Sequence, residues 1–97
     1  MLVPGYKEGG RAMSIDQKVL EDVLVRSMGL LGKEKAEEVA KRSGINLLVS
    51  GAIELSEPPD KALENLIRNV VAEGGIIAKI AVKNMSRQYN FPMPQGI

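Results

Sequence analysis

Aliphatic side chains recur at intervals of three and four residues along most of this 97-residue chain. This spacing places them on one face of a helix, and it constrains the fold more than any other feature of the sequence. The pattern covers residues 15–31, 63–71 and 76–85, and it is interrupted by glycines and by Pro58–Pro59, which cannot lie in a helix interior. The sequence therefore predicts an all-α single domain of four to five helices with orthogonal or bundle-like packing.

Capping and stop signals give the expected boundaries. Ser14 and Gln17 form a capping-box pattern at the start of the first helix, at about 15–31, and Gly32 is suited to end it. A more polar second helix is expected over 33–43, a third beginning at an Asp60 N-cap, and a last one at about 75–89. The expected organisation is a flexible N-terminal arm at 1–13, a helical domain at 14–90 and an extended tail at 91–97.

Residues 46–55, NLLVSGAIEL, are ambiguous because a short apolar run does not reveal its period. They are either a short buried helix capped by Asn46 or a buried strand. A lone strand has no evident partner elsewhere in the chain, so we favour the helix.

Composition argues against most kinds of catalysis. The chain contains no Cys and no His, which excludes thiolate chemistry and Cys-based metal sites and removes the usual acid–base group at neutral pH. Glu34, Glu37 and Glu38 share one helix face, but carboxylate metal sites in helical bundles usually add a histidine. We interpret these residues as an ion-paired surface, and we expect no enzyme activity, catalytic residue, cofactor, metal or small-molecule substrate.

The segment VAKRSGI, residues 39–45, resembles the first half of the helix-turn-helix in many bacterial repressors. Ala40, Gly44 and Ile45 stand where that motif needs a small residue, a turn glycine and an apolar residue. The resemblance implies a DNA-binding regulator that uses residues 36–55, which we keep as the alternative function. A recognition helix here would offer DNA only Asn46 and Ser50 before Glu54, whose charge repels phosphate.

Lys79, Lys83 and Arg87 lie four residues apart in the last helix, and no acidic residue occurs after Glu73. Such a stripe could contact nucleic-acid phosphate, anionic lipid or an acidic partner. Three charges without an interleaved aromatic are more typical of a solvated helix face.

The last helix is apolar over more than half its circumference, more than a one-sided surface helix needs. We therefore predict a non-catalytic protein-interaction or regulatory module, with a homodimer or another protein as the expected partner and nucleic acid possible but not favoured. No apolar run approaches the ~18–20 residues of a membrane span, and the N-terminus lacks the apolar stretch of a secretory signal, so a cytoplasmic location is expected. The predicted interaction surface comprises Ile76, Ile77, Ala81, Val82, Met85, Tyr89 and Phe91.

Overall fold

A computed structural model of the protein describes residues 17–97. Helices make up 69% of these residues, so the prediction of a mostly helical protein is confirmed. The number of helices differs from the prediction, because there are three of them with a two-stranded sheet. The predicted arm at 1–13 and the capping residue Ser14 lie outside the described residues. The elements in chain order are α1 (Gln17–Leu31), α2 (Lys33–Arg42), β1 (Ile45–Leu47), β2 (Ile53–Leu55) and α3 (Pro59–Tyr89).

The first two helices end where the sequence indicates. Gly32 has a φ of 89°, a conformation that favours glycine, and it separates α1 from α2 without a longer loop. Gly44, with a φ of 86°, follows α2 in the same way. Each helix buries one face, and α2 presents only the small stripe of Ala36, Val39 and Ala40 to the core.

Residues 46–55 do not form a helix, and this prediction is wrong. They belong to an antiparallel hairpin in which Asn46 lies opposite Glu54, so the partner of each strand is the other half of the same segment. The turn is closed by hydrogen bonds from Gly51 N–H to Leu48 C=O and from Leu48 N–H to Ala52 C=O, each 2.9 Å long. Gly51 has a φ of 92°, as expected where a tight turn is followed by a left-handed glycine.

The hairpin shows the period of two that a half-buried strand pair requires. Ile45 and Ile53 are buried in the core, whereas Asn46 and Glu54 point outward. The Gln17 side chain donates a 3.0 Å hydrogen bond to the Ile53 carbonyl, which joins the hairpin to the start of α1. The hairpin thus covers one end of the helical core.

The two helices expected after the prolines follow each other directly in α3, on either side of a kink at Gly75. Pro58 is the N-cap and Pro59 occupies the first turn, where a missing N–H costs nothing. The predicted N-cap, Asp60, lies one residue inside the helix and accepts a 3.0 Å hydrogen bond from the Lys61 N–H. Gly75 interrupts the helix with a φ of 68° and a ψ of −145°, which only glycine adopts at low cost.

The C-terminal tail returns to the protein instead of extending away from it. Asn90 adopts a left-handed conformation that ends α3, and the Phe91 N–H then donates to the Ser86 carbonyl over 3.1 Å. Phe91 is only 4% exposed, while Met93 and Ile97 pack against the core at half-buried positions. The tail at 91–97 therefore contributes to the core of its own chain.

Ion pairs and a hydrogen bond join one side of α2 to α3 just before the kink. Lys35 and Arg42 flank the Glu73 carboxylate at 3.5 and 3.2 Å, and Asn69 donates a 3.0 Å hydrogen bond to the buried Ser43 hydroxyl. The hydrogen bond from Arg42, followed by the nearby Lys35 charge, lowers the pKa of Glu73 below its ordinary value of 4.5. These contacts hold the first half of α3 against α2. The kink at Gly75 therefore changes the direction of the second half only.

Candidate interaction surface

Three isoleucines project from the first turns of α3 after the kink. Ile76, Ile77 and Ile80 are 76%, 74% and 57% exposed, although the opposite side of the same helix is buried in the core. Ile80 is the neighbour of both Ile76 and Ile77 on the helix surface, because residues three and four apart lie next to each other there. We call Ile76, Ile77 and Ile80 the isoleucine patch.

The glycine pair explains why the patch faces outward. A Cβ on Gly74 would lie 2.5 Å from the Ala78 Cβ and 3.2 Å from Leu31 Cδ2, so this position requires close approach of α1 and α3. Gly75 then changes the backbone direction, and the next turn buries Ala78. Once Ala78, Val82 and Met85 fill the core side, Ile76, Ile77 and Ile80 have no remaining buried position to occupy.

The seven residues of the predicted interaction surface do not lie on one surface. Val82, Met85 and Phe91 are core residues, and Ala81 and Tyr89 are half-buried. The Tyr89 hydroxyl accepts a 2.9 Å hydrogen bond from Arg26 Nε, so its polar end contacts α1. Only Ile76 and Ile77 of that set belong to the isoleucine patch, to which the structure adds Ile80.

A partly polar groove with a volume of about 270 Å³ lies along the boundary between α1 and α3. Ala81, Asn84 and Gln88 follow Ile77 along α3 on this side, while Gly29 and Leu30 face them from α1. A Cβ on Gly29 would have no neighbouring atom within 4 Å, so the missing side chain leaves open space.

Of the predicted anion-contact residues, Lys83 and Arg87 follow the patch toward the end of α3, and Lys79 lies beside it. Lys83 and Arg87 are exposed and Lys79 is half-buried. No carboxylate of residues 17–97 lies within 4.0 Å of these three cations, whereas Lys35 and Arg42 are both paired. The outer face of the helix is thus apolar toward the kink and basic toward Asn90.

The other predicted sites have ordinary structural roles. Asn46 Nδ2 donates to Glu54 Oε1 over 3.4 Å across the hairpin, and the Ser50 hydroxyl accepts from the Ala52 N–H at the turn. Because residues 45–55 form strands and a turn, they provide no recognition helix beside α2. Of the clustered glutamates, Glu38 pairs with Lys35 at 3.5 Å, and residues 17–97 contain no group of acidic side chains arranged to hold a metal ion.

Comparison with known proteins identifies no relative: the chain matches no protein-family model, no curated protein and no solved structure. Within residues 17–97, no helix combines the length and the apolar character needed to cross a membrane.

The isoleucine patch could be found only in part from the sequence. The sequence indicates an excess of apolar residues in this helix, but it does not show which of them are in excess. The kink at Gly75 sets the direction of the helix, and this direction decides that Val82 is buried and Ile80 is exposed. A glycine pair between two apolar helices is the one local signal of such a kink.

Proposed function

We propose that the chain is a small, non-catalytic interaction module of the cytoplasm that self-associates through the second half of α3. The observation that carries the proposal is the isoleucine patch, in which three large aliphatic side chains are mostly exposed on adjacent positions of one helix. A continuous apolar patch on a folded surface often marks a contact with another molecule. Burial of each such side chain contributes about 1.5–3 kcal/mol, which makes association the favourable way to remove the patch from water.

The distribution of charge supports pairing between two copies in an antiparallel arrangement. Lys83 and Arg87 lie toward the C-terminal end of α3 and the isoleucines toward the kink, so a parallel pair would bring these two cations beside their own copies. An antiparallel pair centred near Ile80 moves them apart. At a rise of 1.5 Å per residue, the two Arg87 positions would be about 20 Å apart along the axis. This exceeds the Debye length of about 8 Å at physiological salt, so their repulsion would be largely screened.

The test is the molecular mass in solution, measured by light scattering over a range of protein concentrations. We expect twice the mass of the chain for the wild-type protein and the mass of a single chain for Ile77→Asp, since a carboxylate in the contact would be buried unpaired. Val25→Asp is the matched control, because Val25 is also a helical aliphatic residue with most of its surface exposed but lies outside the patch. A single-chain mass for the wild-type protein at high concentration would contradict self-association.

Val82→Asp, at another residue of the predicted interaction surface, does not test the same point. Val82 is fully buried among the core residues of its own chain. A carboxylate at this position would destabilise the monomer itself. Ile77 is therefore the informative position.

A further inference from the structure

We propose that a polar, positively charged surface at the junction of α1 and the end of α3 binds the phosphate backbone of duplex nucleic acid. This inference goes beyond the proposed self-association and does not depend on it. All of the residues that form the surface are exposed. They are Arg26 of α1 and Lys83, Asn84, Arg87 and Gln88 of α3, and we call them the basic band.

The fold brings polar side chains of two helices together in the basic band. Arg26, Asn84 and Gln88 line the groove between α1 and α3. Arg87 lies beside Asn84, and Lys83 lies beside Arg87, because residues three and four apart are neighbours on a helix surface. The two amide side chains therefore lie between a cation of α1 and two cations of α3.

Arg26 is held in position by its own chain. Its Nε donates a 2.9 Å hydrogen bond to the Tyr89 hydroxyl, and its guanidinium carbon lies 5.7 Å from the centroid of the same ring. Within residues 17–97, its two terminal nitrogens have no hydrogen-bond partner. A guanidinium in this state presents adjacent N–H donors that suit the bidentate binding of phosphate oxygens. Because it is already positioned, it loses less conformational freedom when it binds.

The positive charge of the basic band is not neutralised by the described part of the chain. No acidic residue follows Glu73 in the sequence, and no carboxylate of residues 17–97 lies within 4.0 Å of the three cations. The acidic residue closest to Arg26 in the sequence is Asp22, which pairs with Lys18 at 3.3 Å. An anionic ligand would therefore meet three uncompensated charges.

The residue types of the basic band favour nucleic acid over a protein partner. Arg, Lys, Asn and Gln are donors to phosphate oxygens and base edges, and nucleic-acid interfaces are polar and positively charged. The centre of a protein interface is more apolar and is depleted of lysine.

The arrangement along the helix argues against a membrane surface. A helix that lies on a membrane carries apolar residues along one face and cations on the other. Here Ile80, Lys83 and Arg87 follow each other on the same face of α3. Single-stranded nucleic acid is also less suitable, because its bases stack on exposed aromatic rings and Tyr89 is half-buried against Arg26. We therefore assign the basic band to a duplex.

The test is the fluorescence anisotropy of a labelled DNA duplex of mixed sequence, titrated with the full chain at several salt concentrations. Three phosphate contacts predict a slope of about −2.7 for the logarithm of the association constant against the logarithm of the salt concentration. Binding at about 200 mM salt should then be about 40-fold weaker than at about 50 mM.

Substitutions separate the basic band from the rest of the surface. Arg26→Gln and Arg87→Gln should each weaken binding and reduce the steepness of the slope by about 1. Gln88→Ala removes an uncharged donor, so it should weaken binding without changing the slope. Lys41→Gln is the matched control, because it removes an exposed cation of α2 outside the basic band and should keep the wild-type slope. Circular dichroism checks that each variant is folded.

Two further results would overturn the assignment. If the wild-type protein does not bind the duplex at about 50 mM salt, or if Lys41→Gln weakens binding as much as Arg87→Gln, the basic band is not a nucleic-acid site. Vesicles of phosphatidylcholine and phosphatidylserine are the second probe, and binding to them in preference to the duplex would assign the basic band to a membrane. The solution mass of the protein without nucleic acid tests self-association separately.

Discussion

At the residue scale, two helical glycines with different surroundings show how closely α1 and α3 pack. Gly74 lies where the kink brings Ala78 and Leu31 together, and a Cβ there would overlap with the Ala78 methyl group. Gly29 lies on the exposed side of α1, and a Cβ there meets nothing within 4 Å. The same substitution therefore has opposite expected effects at the two positions.

We predict that Gly74→Ala destabilises the fold by about 1–3 kcal/mol, because the added methyl group would overlap with the Ala78 methyl group across the kink and crowd Leu31 of α1. Gly29→Ala should stabilise it by up to about 1 kcal/mol, since alanine is the better helix former and the site has room. Urea denaturation at low protein concentration measures both changes. A stable Gly74→Ala variant would contradict the close approach at the kink.

Glu73 provides a prediction about pH. Its folded-state pKa is lowered by Arg42 and Lys35, so its ion pairs stabilise the fold above the ordinary pKa of 4.5. This contribution is lost as the pH falls through the lowered value. Stability measured by urea denaturation between pH 6 and 3 should fall less steeply for Glu73→Gln than for the wild-type protein. Glu57→Gln, which removes an exposed carboxylate that has no ion pair within residues 17–97, should keep the wild-type slope.

At the scale of the elements, the ends of α1 and α2 were predictable and the hairpin was not. Helix ends follow local signals, and Gly32 and Gly44 end α1 and α2 as expected. The strands have only three residues each, too few for a period of two to be distinguished from a helical period. The signals that were available were the Ser50–Gly51 pair and the alternation of Ile53, Glu54 and Leu55, which together describe a tight turn and a half-buried strand.

A substitution at Gly51 distinguishes the two structures by the sign of its effect. In the hairpin, Gly51→Ala forces a side chain into a positive-φ conformation and should cost about 1–2 kcal/mol. In a helix the same change would stabilise by up to about 1 kcal/mol. Val49→Ala, in the fully exposed turn, should change stability by less than about 0.5 kcal/mol. Thermal or urea denaturation of the two variants distinguishes the hairpin from a helix. A stabilised Gly51→Ala variant would exclude the hairpin.

At the scale of the whole molecule, the candidate site depends on the relative positions of α1, the second half of α3 and the C-terminal tail. The residue types of the site could be predicted, because the excess of isoleucine, alanine and methionine in the last helix is visible in the sequence. Their division into core and surface could not, since it depends on the direction set by Gly75 and on the side covered by α1. The tail matters equally, because Phe91 is buried in the core and no local pattern of the sequence indicates this contact.

Phe91 connects the end of the chain to the rest of the molecule, which leads to a prediction about truncation. The tail after Phe91 runs back beside the start of α3, where Met93 and Pro94 lie near Leu63 across a groove. Phe91→Ala should therefore cost about 3–5 kcal/mol, as expected for a large-to-small change in a packed core. Deletion of residues 91–97 should cost at least as much.

The interface proposed for the isoleucine patch does not include Phe91. Substitutions that lower stability should therefore be separable from substitutions that prevent self-association. Phe91→Ala should lower the free energy of unfolding while the protein that remains folded keeps the mass of a dimer. Ile77→Asp should give a folded monomer whose unfolding is independent of protein concentration, because dissociation no longer contributes to it. Light scattering and denaturation of the two variants at matched concentrations check both outcomes. A stably folded, monomeric Phe91→Ala variant would instead assign the tail to the interface.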